Sequence, residues 1–285
     1  MKTFYSIYRL ETQKTFSGVH KESDGLLIKF VDDQKEDSFS LYHPILSLGD
    51  LDLDGFFKSE KDREHLLNKA QKLTINSNEK LKGRPESYYS ASSFKDLLQN
   101  VDKLTEEGFE VVKLKYGNLS EIDFKSLEDL PFEYIFDFNG RERSKSFKTL
   151  SLKCKSFLNE RLRYIEDPYQ EKEKLSFNLA SDFIEYGEIS DFNVIKPTGF
   201  NHSKPERNWV GSKLVVTSYL DHPIGQLLSA KWAVENEVSN LCGLWTHSLY
   251  KRNAYSELFT EPGIINLELK DDFIGLLSKE DWKEL

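Results

Sequence analysis

Short runs dominated by apolar and aromatic positions, Phe4–Leu10 (FYSIYRL), Lys14–Val19 and Leu26–Val31 (LLIKFV), read as β-strands. The charged break Asp32–Asp37 separates these from a fourth strand segment, Ser38–His43, and together they predict a small antiparallel sheet. Leu46–Phe57 carries turn signals at Gly49-Asp50 and Asp54-Gly55 and reads as a loop. In Lys58–Leu73 the pattern changes: Leu66, Leu67, Ala70 and Leu73 recur at three- and four-residue spacing and predict a helix. The polar stretch Ser77–Pro85 marks a boundary.

Beyond Pro85 short apolar segments alternate with charged, helix-like ones. The strands are predicted at Tyr88–Ser92, Val111–Gly117, Tyr134–Asn139, Tyr164–Asp167, Asn178–Phe183, Phe192–Lys196, Lys213–Tyr219 and Leu241–Thr246. The clearer helices are Phe94–Glu107, Ser144–Arg163 and Pro223–Glu237. This α/β order suits a closed parallel barrel; an open doubly wound sheet is the alternative.

Composition narrows the function classes. The 285 residues carry 39 Lys+Arg against 48 Asp+Glu, a net charge of −9, which argues against a nucleic-acid or anionic-membrane surface. There are 2 Cys, Cys154 and Cys242, with no Cys-x-x-Cys, so a cytoplasmic setting is expected. The N-terminal residues lack the apolar core of a signal peptide, and no segment approaches the ~18 apolar residues of a membrane span. Phosphate-loop, dinucleotide, nucleophile-elbow and zinc-helix motifs are all missing from the sequence.

Alternation along the later strands places charge. Val112, Leu114 and Tyr116 share one strand face, with Lys113 and Lys115 on the other. Tyr134, Phe136 and Phe138 oppose Asp137 and Asn139. Ile165 flanks Glu166, Leu179 and Phe183 oppose Asp182, and Ile195 flanks Lys196. Five successive strands thus turn a charged group away from an apolar face, each near its C-terminal end, where barrel active sites are built. Singly, each group is better read as a turn, a cap or a solvated edge. Together, in strands normally apolar on both faces, they would be costly without a purpose.

Three carboxylates, Asp137, Glu166 and Asp182, suit a hard dication such as Mg²⁺. Two lysines beside such a centre suit removal of a proton next to a substrate carboxylate, the metal stabilising the resulting enolate. The expected partner is therefore a small-molecule carboxylate, with no nucleic acid and no membrane.

These motifs (Lys113-Leu114-Lys115, Asp137-Phe138-Asn139, Glu166-Asp167-Pro168, Asp182 and Lys196-Pro197) resemble the enolase superfamily, specifically its muconate-lactonizing-enzyme subgroup. The resemblance continues at Val215–Gly225 (VVTSYLDHPIG) and Leu241–Thr246 (LCGLWT), which are similar to the seventh and eighth strands of a dehydratase branch serving menaquinone synthesis. It implies a (β/α)7β TIM-like barrel over 86–255, with an N-terminal α+β capping domain over 1–85 joined by a C-terminal return over 256–285. It implies Mg²⁺, with Mn²⁺ as a substitute, on Asp137, Glu166 and Asp182. Lys115 would be the base and then the acid of a syn-dehydration of a hydroxycyclohexadiene carboxylate. Lys113 would hold Lys115 or a substrate oxygen, and Lys196 would stabilise the enediolate from across the site. Asn139 would support the metal shell, while Ser218 and its neighbour Tyr219 would contact the substrate. The alternatives are N-acylamino acid racemisation or dipeptide epimerisation, and remotely a binding module without catalysis. The segments linking Glu166, Asp182 and Lys196 are short for a strand plus a full helix, so reduced outer helices are expected.

Overall fold

The computed structural model describes residues 1–13, 21–34, 36–116, 122–139, 160–167, 178–181, 190–199 and 213–285. Asp182, Cys154 and the strand expected at Lys14–Val19 lie outside the described residues, as does most of the helix expected at Ser144–Arg163.

The N-terminal sheet contains β1 (Lys2–Glu11), β2 (Glu22–Val31), β3 (Asp37–Tyr42) and β4 (Ile75–Asn76), all antiparallel. The end of the chain returns to it: β12 (Lys283–Glu284) pairs with β1 and forms the far edge. The run Leu26-Leu27-Ile28 is apolar throughout because both faces of β2 are covered. Leu26, Ile28 and Phe30 pack with Phe56, Leu66 and Ala70, whereas Leu27 joins Phe39 and Leu41 in the main core.

Phe56 belongs to a helix, not to the loop expected at Leu46–Phe57. A 3₁₀ turn at Leu46–Leu48 is followed by α1 (Leu53–Lys58) and α2 (Glu60–Gln71). Asp52 caps α1 by accepting the Gly55 N–H at 2.6 Å, and burial of Phe56 holds the helix on the sheet. The Asp54-Gly55 pair thus lies within the first turn of a helix. The single helix expected at Lys58–Leu73 breaks at Ser59, which ends α1 and caps α2 through Asp62 N–H.

The second sheet is parallel: β5 (Tyr89–Ala91), β6 (Val111–Lys115), β7 (Glu133–Asp137), β8 (Leu162–Glu166), β9 (Leu179–Ser181), β10 (Phe192–Ile195) and β11 (Leu214–Val216) pair in chain order. The helix expected to run to Arg163 therefore ends earlier, since β8 begins at Leu162. Among the described residues, α3 (Phe94–Glu106) and α4 (Phe124–Glu128) are crossovers.

The sheet closes on itself. Thr217 bridges to Gly243 and Ser87 to Cys242, both in parallel, so the segment after Asn240 fills the gap between β11 and β5. It does so without a full strand. Ser87 Oγ accepts the N–H groups of Leu244 and Trp245 (2.8 and 2.9 Å), replacing further ladder bonds. Gly243 is needed there, because a Cβ would stand 2.3 Å from Tyr88 Oη and 2.8 Å from Thr217 Cγ2.

Between barrel and sheet lies α5 (Pro223–Glu235), buried along most of its length and started by Pro223 behind the His222 cap. Lys231 Nζ on α5 donates to Thr74 O (2.7 Å) and Glu79 Oε2 (2.6 Å). Lys270 Nζ, opening α6 (Lys270–Leu277), donates to Ser77 O (3.0 Å) and Glu79 O (2.6 Å). Both lysines fasten the segment joining the two sheets. No helix of the described residues is long and apolar enough to cross a membrane.

Candidate active site

Inside the barrel the strand period sorts side chains into layers. Val111, Ile135, Tyr164, Ala180, Val194 and Val215 form one inward cluster. Leu114, Phe136, Ile165 and Val216 point outward, into the core shared with the helices. One inward position beyond the first layer, toward the C-terminal strand ends, come Lys113, Asp137, Glu166 and Thr217.

Three of these make one ionic cluster. Lys113 Nζ lies 2.7 Å from Glu166 Oε1 and 3.0 Å from Asp137 Oδ2, with side chains only 9% and 3% exposed. The strands bring this about directly, since Asp137 pairs in register with both Lys115 and Glu166. Burial alone would lower the Lys113 pKa, but the carboxylates of Asp137 and Glu166 outweigh it and hold the ammonium well above its usual value. Lys115 differs. Its side chain is 23% exposed, and its Nζ lies 3.7 Å from Asp137 Oδ2, the oxygen it shares with Lys113. Lys113 is locked in the floor of the cluster, while Lys115 reaches its solvent edge.

The backbone just past these strands is strained. Asn139 and Asp167 have φ of 50° and 42°, in the left-handed region that non-glycine residues avoid. Each takes part in a hydrogen bond: Asn139 N–H donates to Asp137 Oδ1 (3.1 Å), and Ser181 Oγ, from the neighbouring β9, donates to Asp167 Oδ1 (2.8 Å). The chain thus leaves the strand sharply while the carboxylate stays in place.

The remaining expected residues are arranged as follows. Lys196 directly follows β10. With the closing segment counted as the eighth position, β10 is four places from β6, so Lys196 and Lys115 rise from opposite walls. Ser218 and Tyr219 are engaged away from the cluster. Ser218 Oγ accepts Thr246 Oγ1–H at 2.8 Å, and Tyr219 Oη donates to Asp50 Oδ2 at 2.7 Å, joining the barrel to the N-terminal unit. Directly after β11 the inward residue is Thr217, whose buried Oγ1 makes no hydrogen bond among the described residues. The same alternation that singled out Lys113 points to Thr217, but a threonine in a strand gives no chemical signal of its own.

Two buried carboxylates on adjacent strands, both all-oxygen donors, fit a hard dication. Among the described residues no group of three His, Cys, Asp or Glu comes together, and Asp182, the third expected ligand, lies outside them. Two clefts, about 730 and 310 Å³, open at the other end of the barrel around Tyr88, Arg163 and Asn240. Their arginines are paired, Arg84 with Glu261 and Arg163 with Glu133.

No family model matches the chain. The o-succinylbenzoate synthase of Bdellovibrio bacteriovorus is 25% identical to it over 331 residues, covering 100% of this chain and 99% of the relative. Among solved structures, the o-succinylbenzoate synthase of Thermosynechococcus elongatus with Mg in its active site superposes with a TM-score of 0.66 at 15% identity, covering 88% of this chain and 95% of that one. The L-Ala-D/L-Glu epimerase of Bacillus subtilis gives 0.66 at 13% identity, over 88% and 91%. A probable mandelate racemase of Alicyclobacillus acidocaldarius gives 0.66 at 16%, over 100% and 98%. The fold is that of the enolase superfamily.

Proposed function

We propose that this chain, built on the enolase-superfamily fold, is a Mg²⁺-dependent o-succinylbenzoate synthase acting in menaquinone synthesis. It would convert 2-succinyl-6-hydroxy-2,4-cyclohexadiene-1-carboxylate to o-succinylbenzoate and water. The observation that carries this reading is the Lys113–Asp137–Glu166 cluster with Lys115 at its exposed edge.

Asp137 and Glu166, with Asp182, would hold the metal, which when bound neutralises charge developing on the substrate carboxylate. Lys113 is a poor base, since both carboxylates hold its proton. Lys115 is the one of the pair free to approach substrate. Its Nζ takes the α-proton, the ring C–OH bond breaks, and the same Nζ returns the proton to the departing hydroxide as water. Use of one lysine for both transfers makes the elimination syn. Lys196, from the opposite wall, faces the developing negative charge. Thr217 would donate to a substrate oxygen, and Asn139 would keep Asp137 oriented. Residues 1–85 with 256–285 would cap the barrel of 86–255, and the scarcity of cysteine suits a cytoplasmic enzyme.

Opposed lysines also suit racemisation or epimerisation, the chemistry named for several structural neighbours. Against dipeptide epimerisation, the closing segment Leu241–Thr246 offers no acid for a peptide amino group. An assay on the cyclohexadiene carboxylate with and without Mg²⁺ decides. Metal-dependent aromatisation is expected; α-deuterium exchange in D₂O on N-acylamino acids or dipeptides, without aromatisation, would favour the second reading.

A further inference from the structure

The loops that leave β10 and β11 meet at one carboxyl, to which the closing segment is linked through Ser218. Asp221 is fully buried. Its Oδ2 accepts from Thr198 Oγ1, two residues past Lys196, and its Oδ1 accepts from Ser218 Oγ at 3.4 Å. Ser218 Oγ in turn accepts Thr246 Oγ1–H (2.8 Å) and Leu220 N–H (3.0 Å).

Both turns concerned are tightly held. Gly199 N–H closes the Lys196 turn on Lys196 O at 2.9 Å. Leu220 adopts a left-handed φ of 57°, with Tyr250 Oη donating to its carbonyl. Room for the carboxyl comes from Gly225 in the first turn of α5, where a Cβ would stand 2.3 Å from Asp221 Oδ2.

The β10–β11 ladder itself ends at Ile195–Val216, before Thr198 and Asp221 are reached. A carboxyl wholly out of water is costly unless hydrogen-bonded, and here the bonds are spent on loops at the mouth.

We infer that Asp221 is a positioning residue: through Thr198 it fixes the turn that carries Lys196 and so aims the Lys196 ammonium across the mouth toward Lys115. The inference rests on the proposed role of Lys196. Neither Asp221 nor Thr198 is required to touch substrate.

Two variants test it. Thr198→Val removes only the hydroxyl that joins the turn to Asp221, and Asp221→Asn changes the carboxyl itself. Acetylation of Lys196 by an amine-reactive anhydride, read by peptide mass spectrometry on the folded protein, should change several-fold in both variants. Labelling of exposed Lys2 should not change. In turnover, kcat should fall about tenfold to a hundredfold with KM nearly constant, and Thr198→Ser should restore it. In the Lys196→Ala background, Asp221→Asn should cost nothing further.

Unchanged Lys196 labelling in folded Thr198→Val would overturn the inference, as would losses that multiply in the double variant. The labelling needs no substrate. Shifted labelling in a protein whose wild type does not aromatise the diene would retain the positioning role and reject the dehydratase.

Discussion

Within the same strands, two residues apart, the barrel interior changes character. Toward the strand starts, Val111, Ile135, Tyr164, Ala180, Val194 and Val215 make an apolar layer. One inward step further, the same strands present Lys113, Asp137, Glu166 and Thr217, all buried. The lower layer is stabilised by removal of apolar surface from water. The upper layer takes charges out of water, and only their mutual pairing offsets that cost. A barrel needs the first layer to close; the second is the part that chemistry explains.

The sharpest way to break this contrast is to unbalance the upper layer. Glu166→Gln leaves Lys113 with Asp137 alone and removes a proposed metal carboxylate. Turnover should fall by more than about a hundredfold, with Mg²⁺ binding weakened in calorimetry. In the lower layer Ile135→Ala should do the reverse, costing about 2–5 kcal/mol in urea unfolding while kcat of the folded fraction holds. A lower-layer variant that lost turnover without stability would erase the distinction.

Acid provides a third probe, directed at groups outside both layers. Burial lowers His43 to about 4, with Asp24 raising it slightly in return. Burial first, then the neighbouring His43, lowers His222 to about 3, and burial lowers His247 to about 3. Each stays neutral when folded but takes a proton at about 6.5 when unfolded. Their stability is therefore complete above about pH 6.5 and lost as pH falls toward the folded values, by up to about 1.4 kcal/mol per pH unit for each histidine. Asp221, raised to about 6 by burial, has the opposite sign and regains stability as pH falls through 6. Urea melts from pH 7 to 5 should show net loss, steeper in Asp221→Asn. The smallest effect is expected at the edge of the N-terminal unit. Asp52→Ala removes the α1 cap and should cost about 1 kcal/mol, measurable as a lower urea midpoint with turnover intact.

The charged layer was legible in the sequence because it obeys the strand's own period: Lys113 with Lys115, Asp137 and Glu166 each alternate with an outward apolar residue. The parallel barrel followed from the succession of apolar strands and charged helices, and its capping unit from the family resemblance. What the sequence hid depends on contacts that no local pattern records. Leu241–Thr246 reads as a strand but closes the barrel through two bridges and the Ser87 hydroxyl. Asp54-Gly55 reads as a turn but lies in a helix held by Asp52 and buried Phe56. No sequence motif marks Asp221; its burial beside the hydroxyls of Thr198, from another loop, and Ser218, three residues before it, distinguishes it.

The central claim is that Lys115, at the edge of the buried ionic cluster, moves the substrate proton. The most direct measurement compares aromatisation of the cyclohexadiene carboxylate by wild type and Lys115→Ala at equal Mg²⁺, with circular dichroism confirming both folds. Metal-dependent product formation by wild type, reduced by at least about a hundredfold in the variant, is predicted. Near-normal turnover by folded Lys115→Ala would contradict it.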